Sequence, residues 1–185
     1  MNLFTVIWGV WFLSEIGLNL LLRSGKADSK DKDKGTIRLI WVSIGVAIAA
    51  GILCASFFRF PIVNSPIVAY VGMAIIVLGI AIRFFSIWSL GRMFTVDVTI
   101  REDHWVKSNG IYGLVRHPSY SGSILSFIGF GLSFNNWATV VVIIVPVTYA
   151  MLKRIRLEEQ VLLEQFGGEY ADYMLKTKRL IPWIY

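Results

Sequence analysis

Apolar residues gather along this chain into five runs. Residues 2–22, 37–58 and 62–90 each reach the roughly twenty residues that a helix needs to cross the ~30 Å hydrocarbon core of a bilayer. Residues 119–134 and 137–152 are shorter and are separated only by Asn135-Asn136, so they read as a tight helical hairpin. The pattern predicts an all-α integral membrane protein with five transmembrane helices, spans four and five forming the hairpin. It is a single membrane domain, with three N-terminal spans over 1–90, a polar loop at 23–36, and a C-terminal half over 91–185 that holds the candidate chemistry. The run at 2–22 is too long for a signal peptide and lacks a basic leader and a small-residue cleavage site, so it is expected to remain as the first span.

Beyond residue 152 the pattern changes period. Arg154, Ile155, Arg156, Leu157, Glu158, Glu159, Val161, Leu162, Leu163 and Phe166 make an amphipathic helix that Gly167-Gly168 is expected to end. It continues the fifth span into the cytoplasm. Arg154 and Glu158, at i and i+4, share one face of it.

Composition agrees with the membrane reading: 56% of the 185 residues are hydrophobic, and mean hydropathy is +0.64. The lone Cys54 lies inside an apolar run and is expected to be a small buried residue, with no disulfide framework or thiolate zinc site. Glycines at 45, 51, 72, 79, 129 and 131 are expected where spans pack closely.

Charge sets the orientation. Sixteen of the eighteen Lys and Arg, all but Arg59 and Arg83, fall around the first loop, in the 91–118 segment or in the C-terminal tail. The positive-inside rule therefore places that side in the cytoplasm and the N-terminus outside. The net charge of +6 is accounted for by topology and by attraction to anionic headgroups, with no nucleic-acid partner. Two charges remain inside apolar runs, where an unpaired ion is costly. Glu15 stands seven residues before Leu22, and Arg83 seven before Leu90, so either the two pair at similar depth or Arg83 snorkels to the cytoplasmic interface while Glu15 bonds to other groups.

The polar stretch from Gly110 to Tyr120, set between membrane-grade segments, carries Gly110-Ile111-Tyr112 and Arg116-His117-Pro118-Ser119-Tyr120. Pro118 biases His117 toward extended or turn backbone, and the alternative to a ligand role for His117 is capping the hairpin helix. With Glu158-Glu159 and the Phe-Gly-Gly-Glu-Tyr-Ala-Asp-Tyr run at 166–173, these motifs resemble the isoprenylcysteine carboxyl methyltransferase family over roughly residues 104–182. Phospholipid N-methyltransferases share the Arg-His-Pro and Glu-Glu features, and membrane sterol reductases share much of the architecture.

The resemblance implies S-adenosylmethionine as methyl donor, held by His104, Trp105, Val106, Lys107, Tyr112, His117, Pro118, Ser119, Tyr120 and Glu158. Trp105 and Lys107 stand where the family has small or apolar residues, and Asp97 is a further candidate. Arg154 matches the arginine that takes the substrate carboxylate and is the candidate catalytic and substrate-binding residue. The implied acceptor is a lipophilic, prenyl-like molecule reaching the site through the membrane, with membrane lipids as surroundings and no metal. The competing readings are phospholipid N-methylation or small-molecule S-methylation, an NADPH-dependent sterol-type reductase, and a non-catalytic scaffold or transport subunit. The donor chemistry agrees with these residues on its own terms: a sulfonium and an ammonium favour a carboxylate and aromatic faces, which Glu158, Tyr112 and Tyr120 supply.

Overall fold

The computed structural model describes residues 2–22, 35–96, 98 and 105–185. Among these the chain is helical, with isolated bridges in place of strands. Its helices are α1 (Leu3–Leu21), α2 (Thr36–Phe57), α3 (Ile67–Leu90), α4 (Pro118–Leu132), α5 (Trp137–Phe166) and α6 (Gly168–Lys176), and two 3-10 turns lie between α3 and α4. The residues His104 and Asp97 fall outside the described part.

Four helices, α1, α2, α3 and α5, are long and apolar enough to cross a membrane. The hydropathy pattern predicts five spans, but α4 has 15 residues, about 22 Å at 1.5 Å per residue, and is shorter than the hydrocarbon core. It nevertheless connects the two ends of the bundle. Its first turn meets Arg83 near the end of α3, and its last residues lie beside Gly72 near the start of α3.

The close pass of α3 and α4 is made of glycine. A Cβ on Gly72 would come within 2.6 Å of the Gly129 carbonyl oxygen, and one on Gly79 within 2.6 Å of the Gly122 carbonyl oxygen. The two backbones therefore touch, as small-residue faces allow in a membrane. Gly51 and Gly131 pack tightly against α5, whereas Gly45 meets nothing within 4 Å, so the close-packing expectation fails at that one position. Cys54 is half-buried rather than fully buried. Trp11, Ile76, Phe127, Phe130, Ile143 and Val147 knit α1, α3, α4 and α5 into one core. The outer faces stay apolar: Leu13, Val46, Leu78 and Val145 are all exposed, an inside-out surface that fits lipid.

One helix boundary differs from the sequence expectation and another follows it. The third helix starts at Ile67 rather than near Ile62, because Pro61, Asn64-Ser65 and Pro66 break the backbone pattern and Pro66 occupies the N-cap. The fifth continues past the apolar run at Leu152 to Phe166, as the amphipathic pattern predicts, and Gly167 caps it at φ 52°. The hairpin turn falls where expected. Asn135 takes a positive φ of 48°, and the Asn136 side chain accepts from the Ala138 and Thr139 N–H groups as an N-cap.

Candidate functional site

Arg154 and Glu158 both line one cavity of about 1570 Å³, its open mouth included. Its wall is assembled from α1, α2, α3, residues 93–96, 98, 106–107, 112 and 116–117, α4, α5 and α6.

The polar end is built around Tyr120. Its hydroxyl accepts from Arg154 Nε at 3.0 Å and donates to Glu158 Oε2 at 3.1 Å, joining a cation and an anion one helical turn apart on α5. Arg154 is buried, at 3% exposure, and donates from Nη1 to Thr36 Oγ1 at 2.8 Å and from Nη2 to the Val96 carbonyl. The Glu158 side chain keeps 32% exposure, so it is the carboxylate open to the cavity. Tyr112 donates to the Ser86 carbonyl at 3.2 Å, and its own carbonyl accepts from the Tyr173 hydroxyl at 2.6 Å. Burial pushes Tyr112, Tyr170 and Tyr173 above the ordinary tyrosine range, Tyr173 to about 12. All three are protonated at neutral pH and line the cavity.

Glu159 does a different job from its neighbour. Its buried carboxylate accepts from Arg116 Nε at 3.0 Å and Arg179 Nε at 2.8 Å, and it holds the Arg179 guanidinium above its ordinary range. His117 is the N-cap residue of α4 through its backbone, its carbonyl accepting from the Ser121 N–H at 3.1 Å, but its side chain makes no capping bond. Its ring lies between the two carboxylates, Nδ1 at 3.8 Å from Glu158 and Nε2 at 3.4 Å from Glu159. The Nε2 contact is not aligned as a hydrogen bond.

The inner end is apolar, lined by Trp11, Trp41, Ile44, Phe127 and Met151. One ion pair enters it. Arg83 Nε lies 2.7 Å from Glu15 Oε1, the pairing rather than the snorkelling alternative, and Arg83 Nη1 donates to Ser119 Oγ at 3.0 Å.

Of the sequence candidates, Val106, Lys107, Tyr112, His117, Pro118, Ser119, Tyr120, Arg154 and Glu158 all line the cavity. Trp105 does not: it is half-exposed, outside the lining, with Lys107 Nζ 6.0 Å from its ring. The motifs contain Arg116, Tyr170 and Tyr173, but spacing alone does not reveal that these residues wall the site. The lining role of Glu15 and Arg83 is likewise absent from the sequence pattern.

Comparison with known proteins places this architecture. The profile of the isoprenylcysteine carboxyl methyltransferase family matches residues 70–164, more than half of the chain. The chain belongs to that family. It is similar to a probable protein-S-isoprenylcysteine O-methyltransferase of Oryza sativa subsp. indica, 32% identical over 63% of this chain and 62% of the relative. It is similar also to the protein-S-isoprenylcysteine O-methyltransferases of Saccharomyces cerevisiae, 33% identical over 61% of this chain and 48% of the relative, and of Schizosaccharomyces pombe, 28% identical over 90% and 71%. The match thus spans about three fifths of the length of the rice relative and about half of the budding-yeast one. The solved structure of the eukaryotic intramembrane Ras methyltransferase of the isoprenylcysteine carboxyl methyltransferase type aligns with a TM-score of 0.65 at 25% identity, covering 78% of this chain and 52% of that one. The multi-pass helical architecture is therefore that of the isoprenylcysteine carboxyl methyltransferase family.

Proposed function

We propose that this chain transfers a methyl group from S-adenosylmethionine to the carboxylate of a lipophilic, isoprenylcysteine-like acceptor at the cytoplasmic membrane face. The observation that carries this reading is the pairing of Arg154 and Glu158 on one face of α5 through the Tyr120 hydroxyl, in one cavity with an apolar inner end. A cation for an anionic acceptor and an anion for a cationic donor stand side by side. The names of the relatives support O-methylation, and leave N- or S-transfer, the sterol-type reductase and the scaffold without a supporting observation.

The lining residues fit S-adenosylmethionine. Glu158 offers an open carboxylate to its sulfonium or ammonium; Tyr112, Tyr120, Tyr170 and Tyr173 offer aromatic surface; Val106, Pro118 and His117 complete the wall. When bound, the donor supplies an electrophilic methyl group. The protein's own contribution is positioning. An acceptor carboxylate is already ionised at neutral pH, so it needs orientation rather than a general base. Arg154, fixed by Thr36, Val96 and Tyr120, presents its charge without reorganising. The apolar inner end, from Met151 to Trp11, takes the acceptor's tail.

In this reading α4 completes five spans, because it joins opposite ends of the bundle, with the N-terminus outside and the C-terminus and site inside. The skewed distribution of Lys and Arg supports that orientation.

Titration of purified protein with S-adenosylmethionine and, separately, NADPH tests the reading. Saturable binding of the first and none of the second is expected; the reverse overturns it.

A further inference from the structure

After α6 the chain folds back toward the membrane. The Arg116 and His117 N–H groups donate to the Lys178 and Arg179 carbonyls at 2.8 and 3.0 Å, and Ser121 Oγ donates to the Leu180 carbonyl at 2.7 Å. Ser121 lies in the first turn of α4, beside Gly122, whose backbone packs on Arg83 and Gly79 of α3. Since α3 continues from Arg83 to Leu90, about 10 Å more at 1.5 Å per residue, the tail has come back to a depth inside the end of that helix. Phe84, Phe85 and Trp88 of α3 are exposed there, at 43, 50 and 77%, as residues facing lipid would be.

The tail ends in a closed knuckle. The Leu180 and Ile181 N–H groups both donate to the Tyr185 carbonyl, at 2.7 and 2.8 Å, and the Ile184 N–H donates to the Ile181 carbonyl at 3.2 Å. Closing the ring thrusts Trp183 and Ile184 outward, 86 and 75% exposed, and Leu175 of α6 is exposed too, at 86%. Trp183 takes a φ of 64°, a left-handed conformation that costs a bulky residue and points to function where it persists. Exposed Lys176 and Lys178 lie along the chain between Leu175 and that tip, while the exposed acids of α6, Glu169 and Asp172, lie nearer its start.

We propose that the 175–185 segment is an interfacial anchor whose occupant is the headgroup layer of the membrane that the chain itself spans, anionic lipid being preferred. A Trp tip preceded along the chain by lysines is the composition that settles at headgroup depth. The anchor rests on the multi-pass membrane architecture and not on the methyl-transfer reading. Because its backbone pairs directly with Arg116 and His117, it also fixes the height of the cavity wall relative to the bilayer.

The test uses the full chain in lipid nanodiscs, in a Cys54→Ser background, with an environment-sensitive fluorophore on Ile184→Cys, on Leu175→Cys, or on Glu164→Cys as a control in the exposed part of α5. Quenching by a lipid carrying a spin label near its headgroup should exceed quenching by aqueous iodide several-fold at 184 and 175, with the reverse at 164. Adding phosphatidylserine should strengthen lipid quenching at 184, and Lys176→Glu with Lys178→Glu should remove that gain. Full iodide access at both 184 and 175 overturns the anchor. Energy transfer between copies of the 184-labelled chain, with no lipid quenching, would assign the surface to a second copy and overturn it too.

Discussion

Glu15 of α1 and Arg83 of α3 lie 2.7 Å apart within the apolar part of the bundle. Reversing either charge alone leaves an unpaired ion in a low-dielectric site and should cost about 3 kcal/mol. The double reversal, Glu15→Arg with Arg83→Glu, should recover most of that loss. Thermal unfolding in detergent checks it; a double variant no more stable than the worse single one would contradict the pairing. Arg83 also holds Ser119, so recovery is expected to be incomplete.

The adjacent carboxylates Glu158 and Glu159 should separate cleanly. Glu158→Gln should leave thermal stability nearly unchanged and weaken donor binding by about 1–3 kcal/mol, the range of a charge-assisted contact. Glu159→Gln should instead lower stability by about 3 kcal/mol, because Arg116 and Arg179 lose their shared buried anion. Calorimetric donor titration and unfolding curves on both variants read the two effects separately.

Arg154→Lys should keep the charge and lose the planar fork that reaches Thr36, Val96 and Tyr120 together. The expected result is a raised acceptor KM or a lowered turnover with donor affinity within about two-fold of the parent. Loss of donor binding in this variant would move the arginine into the donor site.

Alkaline pH should destabilise the fold through its buried tyrosines. Burial holds Tyr173 at about 12 against an ordinary 10.0, so above pH 10 the folded state retains a proton that the unfolded chain has lost. Stability therefore falls as pH rises from 10.0 toward about 12, with Tyr112 and Tyr170 shifted in the same direction. Unfolding midpoints between about pH 8 and pH 11 should drop less in Tyr173→Phe than in the parent.

Much of this was legible from elementary constraints. The cost of a charge in hydrocarbon left two readings for Glu15 and Arg83, and the structure selects the pair; two asparagines between short apolar runs marked the turn. The i and i+4 spacing put Arg154 and Glu158 on one face. The change of period after Leu152 and the Gly167-Gly168 pair foretold that α5 runs on to Phe166. Hydropathy overran at Ile62, where proline and not polarity decides the start of α3. The separate duties of Glu158 and Glu159 were invisible, since adjacent positions on a helix face different neighbours. The return of the tail beside Arg116 and His117 rests largely on backbone bonds that no side-chain pattern encodes.

The most direct measurement offers tritiated methyl donor and an S-farnesylcysteine derivative with a free carboxylate to the purified chain, then follows label after mild alkali. Methyl transfer to the acceptor, released by base as volatile methanol and abolished when the acceptor carboxylate is replaced by an amide, is the expected result. Label that resists base, or none at all while the donor binds, would contradict carboxyl methylation.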